Sequence, residues 1–263
     1  MSFTDTLPLE RLLSRPVLIS ALALAAAIVL AWAWLATRPM ASMAGMPEMA
    51  GMPGMMIPPE PWSPTYLAAT FTMWALMMVA MMLPSAAPMI LLHARIHRGT
   101  QAQRSLANTV FAFSYLAVWT GFAALAAVAQ AALVSAGLVS ATRLSLGQPQ
   151  LAAGLLLLAA VWQLMPTKTA CLERCQSPVQ FIHRYWRPGP AGAVRLGLIH
   201  GLYCVGCCWS LMLLLFVGGV MNLAWVALLA LVVFAEKLAP PAWRLSRWLA
   251  AAMALGAGYV LIA

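Results

Sequence analysis

The sequence predicts an all-α protein, a polytopic membrane helix bundle of about seven transmembrane helices with its N-terminus in the cytoplasm. Hydrophobic residues make up 63% of the 263 residues and charged residues only 8%, whereas a soluble domain averages about 25% charged residues. The hydrophobic residues form stretches that are long enough to cross a bilayer as helices. Basic residues gather in alternate segments between these stretches, which is typical of membrane proteins with one fixed orientation.

The first span is predicted at residues 16–36, and it is interpreted as a retained helix because no small-residue cleavage site leads from it into a soluble domain. The other six spans are expected at residues 65–92, 108–138, 151–165, 196–219, 223–236 and 248–263. With the N-terminus inside, thirteen of the fifteen lysine and arginine residues fall on the cytoplasmic side, and only Arg38 and Arg143 fall outside. This separation follows the positive-inside rule and indicates the topology.

The chain is therefore divided into three parts. Residues 1–36 are a cytoplasmic N-terminus and the first transmembrane helix, residues 37–64 a periplasmic methionine-rich loop, and residues 65–263 the membrane bundle. The expected location is the bacterial inner membrane, which the chain crosses several times in contact with membrane lipid. The net charge of +9 reflects this topology and does not indicate nucleic acid. The sequence contains no phosphate-binding loop, paired catalytic carboxylates or nucleotide fingerprint, so it does not predict an enzyme.

The most informative stretch is residues 200–208 in the fifth span, which holds three of the five cysteines. Helix geometry places four side chains within about 100° of arc, namely His200, Cys204, Cys207 and Cys208. Thiolate and imidazole inside a membrane need a partner, a proton or a metal. The pattern favours a metal site, and the alternative is that the cysteines pack as small hydrophobic residues.

Methionines form two further groups of candidate ligands. In the outer loop they recur every third residue, at Met40, Met43, Met46, Met49, Met52 and Met55. In the second span Met73, Met77 and Met81 form one helical stripe, which could equally be packing. Thioethers are good ligands for Cu(I) and poor ones for hard ions. Pro84 and Pro88 are expected to kink or unwind the inner end of this span.

Two pairs of residues lie on the predicted cytoplasmic side. Cys171 and Cys175 follow the fourth span, and in a helix they are neighbours on one face, which makes them candidate metal ligands. Glu236 and Lys237 end the sixth span. They are interpreted as an interfacial ion pair, or as a lysine that extends toward the headgroups.

Three stretches together resemble a bacterial family of uncharacterised integral membrane proteins that are described as predicted metal-binding membrane proteins. The stretches are residues 73–84, residues 166–175, and residues 201–209 with residues 218–222 and the Glu236-Lys237 pair. The resemblance runs from about Thr65 to Lys237, and it implies a metal-related role for the cysteine stretch.

The sequence hypothesis is a protein that binds and handles Cu(I), as a carrier, a metallochaperone or an accessory subunit that loads a copper enzyme. Its expected partners are a copper protein or a larger membrane complex. One alternative is a membrane thiol–disulfide oxidoreductase, because Cys204 and Cys207 have the two-residue spacing of redox pairs. The other is a structural subunit of a membrane complex, in which cysteines and methionines only pack.

Overall fold

The computed structural model describes residues 15–44, 60–96, 100–140, 144–240 and 243–262, and this part of the chain is helical with short connections. The first four helices are α1 (Arg15–Ala44), α2 (Pro64–Ile96), α3 (Gln101–Ser135) and α4 (Pro149–Leu164). Next come α5 (Pro166–Gln176), α6 (Pro178–Tyr185), α7 (Gly189–Leu213) and α8 (Leu215–Gly218). The last two are α9 (Leu223–Leu238) and α10 (Leu245–Ile262). The predicted all-α membrane bundle is thus confirmed in its helical character.

The predicted count of seven spans is not confirmed. Among the described residues, five helices are long and apolar enough to cross a membrane, namely α1, α2, α3, α7 with its continuation α8, and α10. The pair α4 and α5, bent by 67°, would make a sixth. The helix α9 has only 16 residues, or about 24 Å at 1.5 Å per residue. It is therefore shorter than the roughly 30 Å hydrocarbon core of a bilayer.

Two other boundaries differ from the sequence prediction. The first helix continues to Ala44, so the backbone of Met40 and Met43 is helical rather than part of a loop. The segment expected as one long basic loop after the fourth span contains two helices, α5 and α6. The helix α2 is continuous through Pro84 and Pro88, so the unwinding expected at these prolines does not occur.

The helix α7 lies at the centre of the bundle, where it packs against α3, α4 and α5. Two glycines let α3 approach closely. A Cβ atom at Gly197 would lie 2.4 Å from the carbonyl oxygen of Phe111, and one at Gly201 would lie 2.8 Å from Val118. Both distances are too short for any side chain, so glycine at these positions is what brings α3 next to the cysteine-bearing part of α7.

The other helices complete the enclosure. The helix α2 packs against α1, α3 and α9, and α10 packs against α4. After α8 the chain reverses at Gly219, whose φ of 91° is in the left-handed region that favours glycine. The Asn222 side chain then caps α9 by accepting a hydrogen bond from the backbone N–H of Trp225. This return places the end of α9 beside the cysteines of α7.

Candidate functional site

The candidate site is built around the buried face of α7. His200, Cys204, Cys207 and Cys208 are each at most 2% exposed. The face that the sequence predicted to carry these four residues therefore lies inside the bundle and does not face lipid. All five cysteines of the chain are free thiols.

The neighbouring helix α5 contributes another thiol next to this face. The half-buried Cys175 side chain, on α5, lies close enough to the sulfurs of Cys204 and Cys207 to interact with them electrostatically. The Cys207 and Cys208 sulfurs are 3.2 Å apart, and the Cys207 thiol also donates to the carbonyl oxygen of Cys204. These four residues, Cys175, Cys204, Cys207 and Cys208, are called the cysteine cluster below.

Cys171 lies next to the cysteine cluster but outside it. It is half-buried, and its sulfur would be 3.0 Å from a Cβ atom at Gly206 of α7. The absence of a side chain at Gly206 thus allows α5 to approach α7. The Trp162 indole N–H donates to the Gly206 carbonyl oxygen and holds α4 against the same point of α7.

Lys237 was missed as a site residue by the sequence reasoning. Its ammonium donates to the Cys204 sulfur at 2.8 Å and to the Ser85 hydroxyl at 2.8 Å, and the residue is 5% exposed. The interpretation of Glu236 and Lys237 as an ion pair with each other is wrong. Adjacent residues on a helix point in different directions, and Lys237 faces the cysteine cluster.

Glu236 takes part in a separate buried network. Its carboxylate forms an ion pair with Lys168 of α5 and accepts a hydrogen bond from Ser246 of α10 at 2.7 Å. Lys168 also donates to the Gln163 side-chain oxygen. The two lysines, Lys168 and Lys237, were counted among the cytoplasmic loop charges, but both are buried. Their burial had one signal in the sequence, because Lys168 and Lys237 each lie directly beside an apolar span.

Tyr115 of α3 and the middle of α2 form the other wall of the site. The Tyr115 hydroxyl lies 3.1 Å from the Cys204 sulfur, and it donates to the carbonyl oxygen of Met82. Cys204 therefore contacts a hydroxyl, an ammonium and the neighbouring thiols. Tyr115 carried no signal in the sequence, because its position in space depends on how α3 packs against α7.

Comparison with known proteins agrees with this chemistry. The model of the PpoB2 family, which is described as a copper chaperone, matches residues 71–260. The chain belongs to this copper chaperone family. The match includes every helix from α3 to α9 and ends in α10. It supports the copper-related class that the sequence suggested. No curated protein and no solved structure matches the chain.

His200 lies one turn before Cys204 and is surrounded by aromatic rings. Its ring lies 5.4 Å from that of Tyr115 and 5.2 Å from that of Phe181, between ring centres. The buried Nδ1 atom has no hydrogen-bond partner. An unpaired buried ring nitrogen is costly, so this atom is open to a proton donor or a metal ion.

The candidate methionines of α2 belong to the same hydrophobic core as the three α7 cysteines. Met77 and Met81 are buried and Met73 is half-buried, while α2 reaches the cluster through Ser85 and the carbonyl oxygen of Met82. In the outer segment, Met46, Met49, Met52 and Met55 lie outside the described residues. The methionine candidates thus remain sequence predictions.

The cysteine cluster is a set of hydrogen-bonded thiols. In the described part of the chain, no group of three or more histidine, cysteine, aspartate or glutamate side chains stands in a position to hold a metal ion. A tetrahedral zinc site needs four ligands arranged around one point. Cu(I), a soft ion that prefers sulfur, can be held by as few as two thiolates. The arrangement is therefore better suited to Cu(I) than to a zinc site of structural type.

Proposed function

We propose that this protein takes Cu(I) as its cargo in the bacterial inner membrane, holds the ion at the cysteine cluster, and delivers it to a copper protein. The observation that carries the proposal is the approach of the half-buried Cys175 of α5 to the three buried cysteines of α7. Sulfur ligands of this kind favour soft ions such as Cu(I) over hard ions such as Mg²⁺.

Burial of Cys204, Cys207 and Cys208 serves a carrier of a reactive ion. Cu(I) enclosed by Tyr115, Lys237 and the cluster sulfurs is kept away from water and from oxidants. Cys171 is one helical turn from Cys175 and half-buried, and we infer that it passes the ion between the cluster and a partner on the cytoplasmic side. The unpaired nitrogen of His200 offers a further ligand one turn along α7.

The methionines would supply the ion from the outside. Met40, Met43, Met46, Met49, Met52 and Met55 would capture Cu(I), and Met73, Met77 and Met81 of α2 would pass it inward. A thioether suits an oxidising compartment because it needs no deprotonation and forms no disulfide. The receiving protein would be a copper enzyme or a larger membrane complex that the chain accompanies.

The direct test is the metal content of the purified full-length chain after loading with Cu(I) under reducing conditions. We expect tightly bound copper in the wild type. We expect its loss when Cys175, Cys204, Cys207 and Cys208 are all changed to serine, because serine keeps the size of the side chain and removes the soft ligand. Ser210→Ala is the control, since Ser210 is buried on the same helix and lies outside the cluster.

Two outcomes of this experiment would refute the proposal. One is full copper retention in the quadruple variant, which would place the ion elsewhere. The other is a metal-free wild type with a Cys204–Cys207 disulfide that exchanges with a thiol reductant, which would favour the oxidoreductase alternative.

The capture step predicts the behaviour of a peptide that covers residues 40–56. It should bind Ag(I) and Cu(I) but not Zn²⁺ or Mn²⁺, because thioethers are soft ligands. Affinity should fall stepwise as methionines are replaced by leucine, and it should change little between about pH 5 and 8, since a thioether has no proton to lose. Calorimetry with each ion, with the all-leucine peptide as control, measures this. Zinc binding as strong as silver binding would contradict it.

A further inference from the structure

The buried charges of the described residues do not balance. The charged side chains in the interior are Lys168, Glu236 and Lys237, two cations and one anion. Lys168 and Glu236 form the ion pair that the described part of the chain contains. Lys237 is thus left with its positive charge and no carboxylate. A buried ion costs several kcal/mol unless a charge of opposite sign compensates it.

The contacts of Lys237 identify the group that can compensate it. The ammonium touches the Ser85 hydroxyl, which stays neutral, and the Cys204 sulfur, each at 2.8 Å. Sulfur is the one of these two atoms that can carry a negative charge, either as a thiolate or as a ligand in a metal–thiolate complex. Glu236 cannot take this role, because its carboxylate is bound by Lys168 and Ser246 on a different face of α9.

We propose that Lys237 is the counter-ion of the cysteine cluster and makes it selective for a singly charged soft ion over a doubly charged one. This inference rests on the proposed function. A Cu(I) ion bound to two thiolates carries a net charge of −1, any thiol proton having left for the solvent. With the Lys237 ammonium at 2.8 Å from one of the two sulfurs, the complex becomes neutral.

The same sum of charges at the cysteine cluster disfavours a divalent ion. Zn²⁺ with two thiolates is already neutral, so Lys237 would bring the buried total to +1, which a low-dielectric interior penalises. Zn²⁺ reaches neutrality beside Lys237 only with three thiolates, and the described residues do not place three such ligands around one point. The positive charge of Lys237 therefore favours Cu(I) over Zn²⁺, in addition to the preference of sulfur for soft ions.

The test compares Ag(I), Cu(I), Zn²⁺ and Cd²⁺ binding to the purified full-length chain and to Lys237→Met. We expect the variant to bind Ag(I) and Cu(I) roughly 10–100-fold more weakly, the range seen when a group that supports metal ligands is removed. Its affinity for Zn²⁺ and Cd²⁺ should stay equal or rise. The ratio of Ag(I) to Zn²⁺ affinity should therefore fall by at least that factor.

A matched control and a second variant keep the result interpretable. Ser85→Ala removes the other contact of Lys237 and leaves its charge, so it should preserve the selectivity of the wild type. Lys237→Gln is also neutral but retains hydrogen bonding, so it should behave like Lys237→Met even if the apolar variant folds poorly. An unchanged Ag(I) to Zn²⁺ ratio in both neutral variants would overturn this inference. A wild type that binds no Ag(I) or Cu(I) would instead refute the proposed function.

Discussion

Replacing Cys204 alone with serine is expected to weaken Cu(I) binding by more than about 100-fold. Loss of a group that only supports a ligand already costs roughly 10–100-fold, and Cys204 is the sulfur on which the site converges. Lys237 and Tyr115 both contact it, and Cys175 interacts with it electrostatically. Competition with a chromogenic Cu(I) chelator measures the loss on the full-length protein.

The matched control for Cys204→Ser is Cys171→Ser. Cys171 belongs to the neighbouring helix and is half-buried beside Gly206, outside the cluster. As a transfer ligand it should affect the rate of copper exchange more than the equilibrium affinity. Equal losses of affinity in the two variants would show that the ion is not centred on Cys204.

The second large effect concerns the buried ion pair of Lys168 and Glu236. Changing Glu236 to alanine leaves the Lys168 ammonium, which is fully buried, without its carboxylate. Removing one partner of a buried pair costs about 3–5 kcal/mol. For a chain of this size, about 2–4 °C of melting temperature corresponds to each kcal/mol. The expected decrease is therefore roughly 6–20 °C, measured by thermal unfolding in detergent.

Two comparisons separate charge from packing at this pair. Glu173→Ala removes an exposed carboxylate from the same helix as Lys168, and it should change stability by no more than about 0.5 kcal/mol. The double variant Lys168→Met with Glu236→Met should regain most of the stability, because no charge is left unpaired in the interior. If Glu236→Ala has the same melting temperature as the wild type, the ion pair of Lys168 and Glu236 does not stabilise the fold.

Several features of this site follow directly from local sequence. The i, i+4 and i+7 spacing places His200, Cys204 and Cys207 on one side of any helix that contains them, and all three are buried in α7. Likewise Cys171 and Cys175 are one turn apart because residues 166–176 are helical. The sulfur and nitrogen atoms of these cysteines and of His200 are ligands that suit copper, and the family match agrees with a copper-related function.

The predicted spans agree with the structure only where a stretch has both the length and the hydrophobicity of a membrane helix. The helix α9 is as apolar as its neighbours but ends after 16 residues, and α4 bends by 67° into α5 instead of ending in a loop. Hydrophobicity reports that residues avoid water. It does not report whether they avoid water by contact with lipid or with other helices.

The sequence by itself determined the all-helical membrane character and the sulfur chemistry of the fifth predicted span, because composition and helical period act locally along the chain. Tertiary structure alone decided the partners of the cysteines. Cys175 is 29 positions before Cys204, Lys237 is 33 positions after it, and Tyr115 is 89 positions before it. A lysine beside an apolar span can extend to the headgroups or turn inward. Only the packing of α9 against α2 and α7 places Lys237 against a sulfur rather than in the interface.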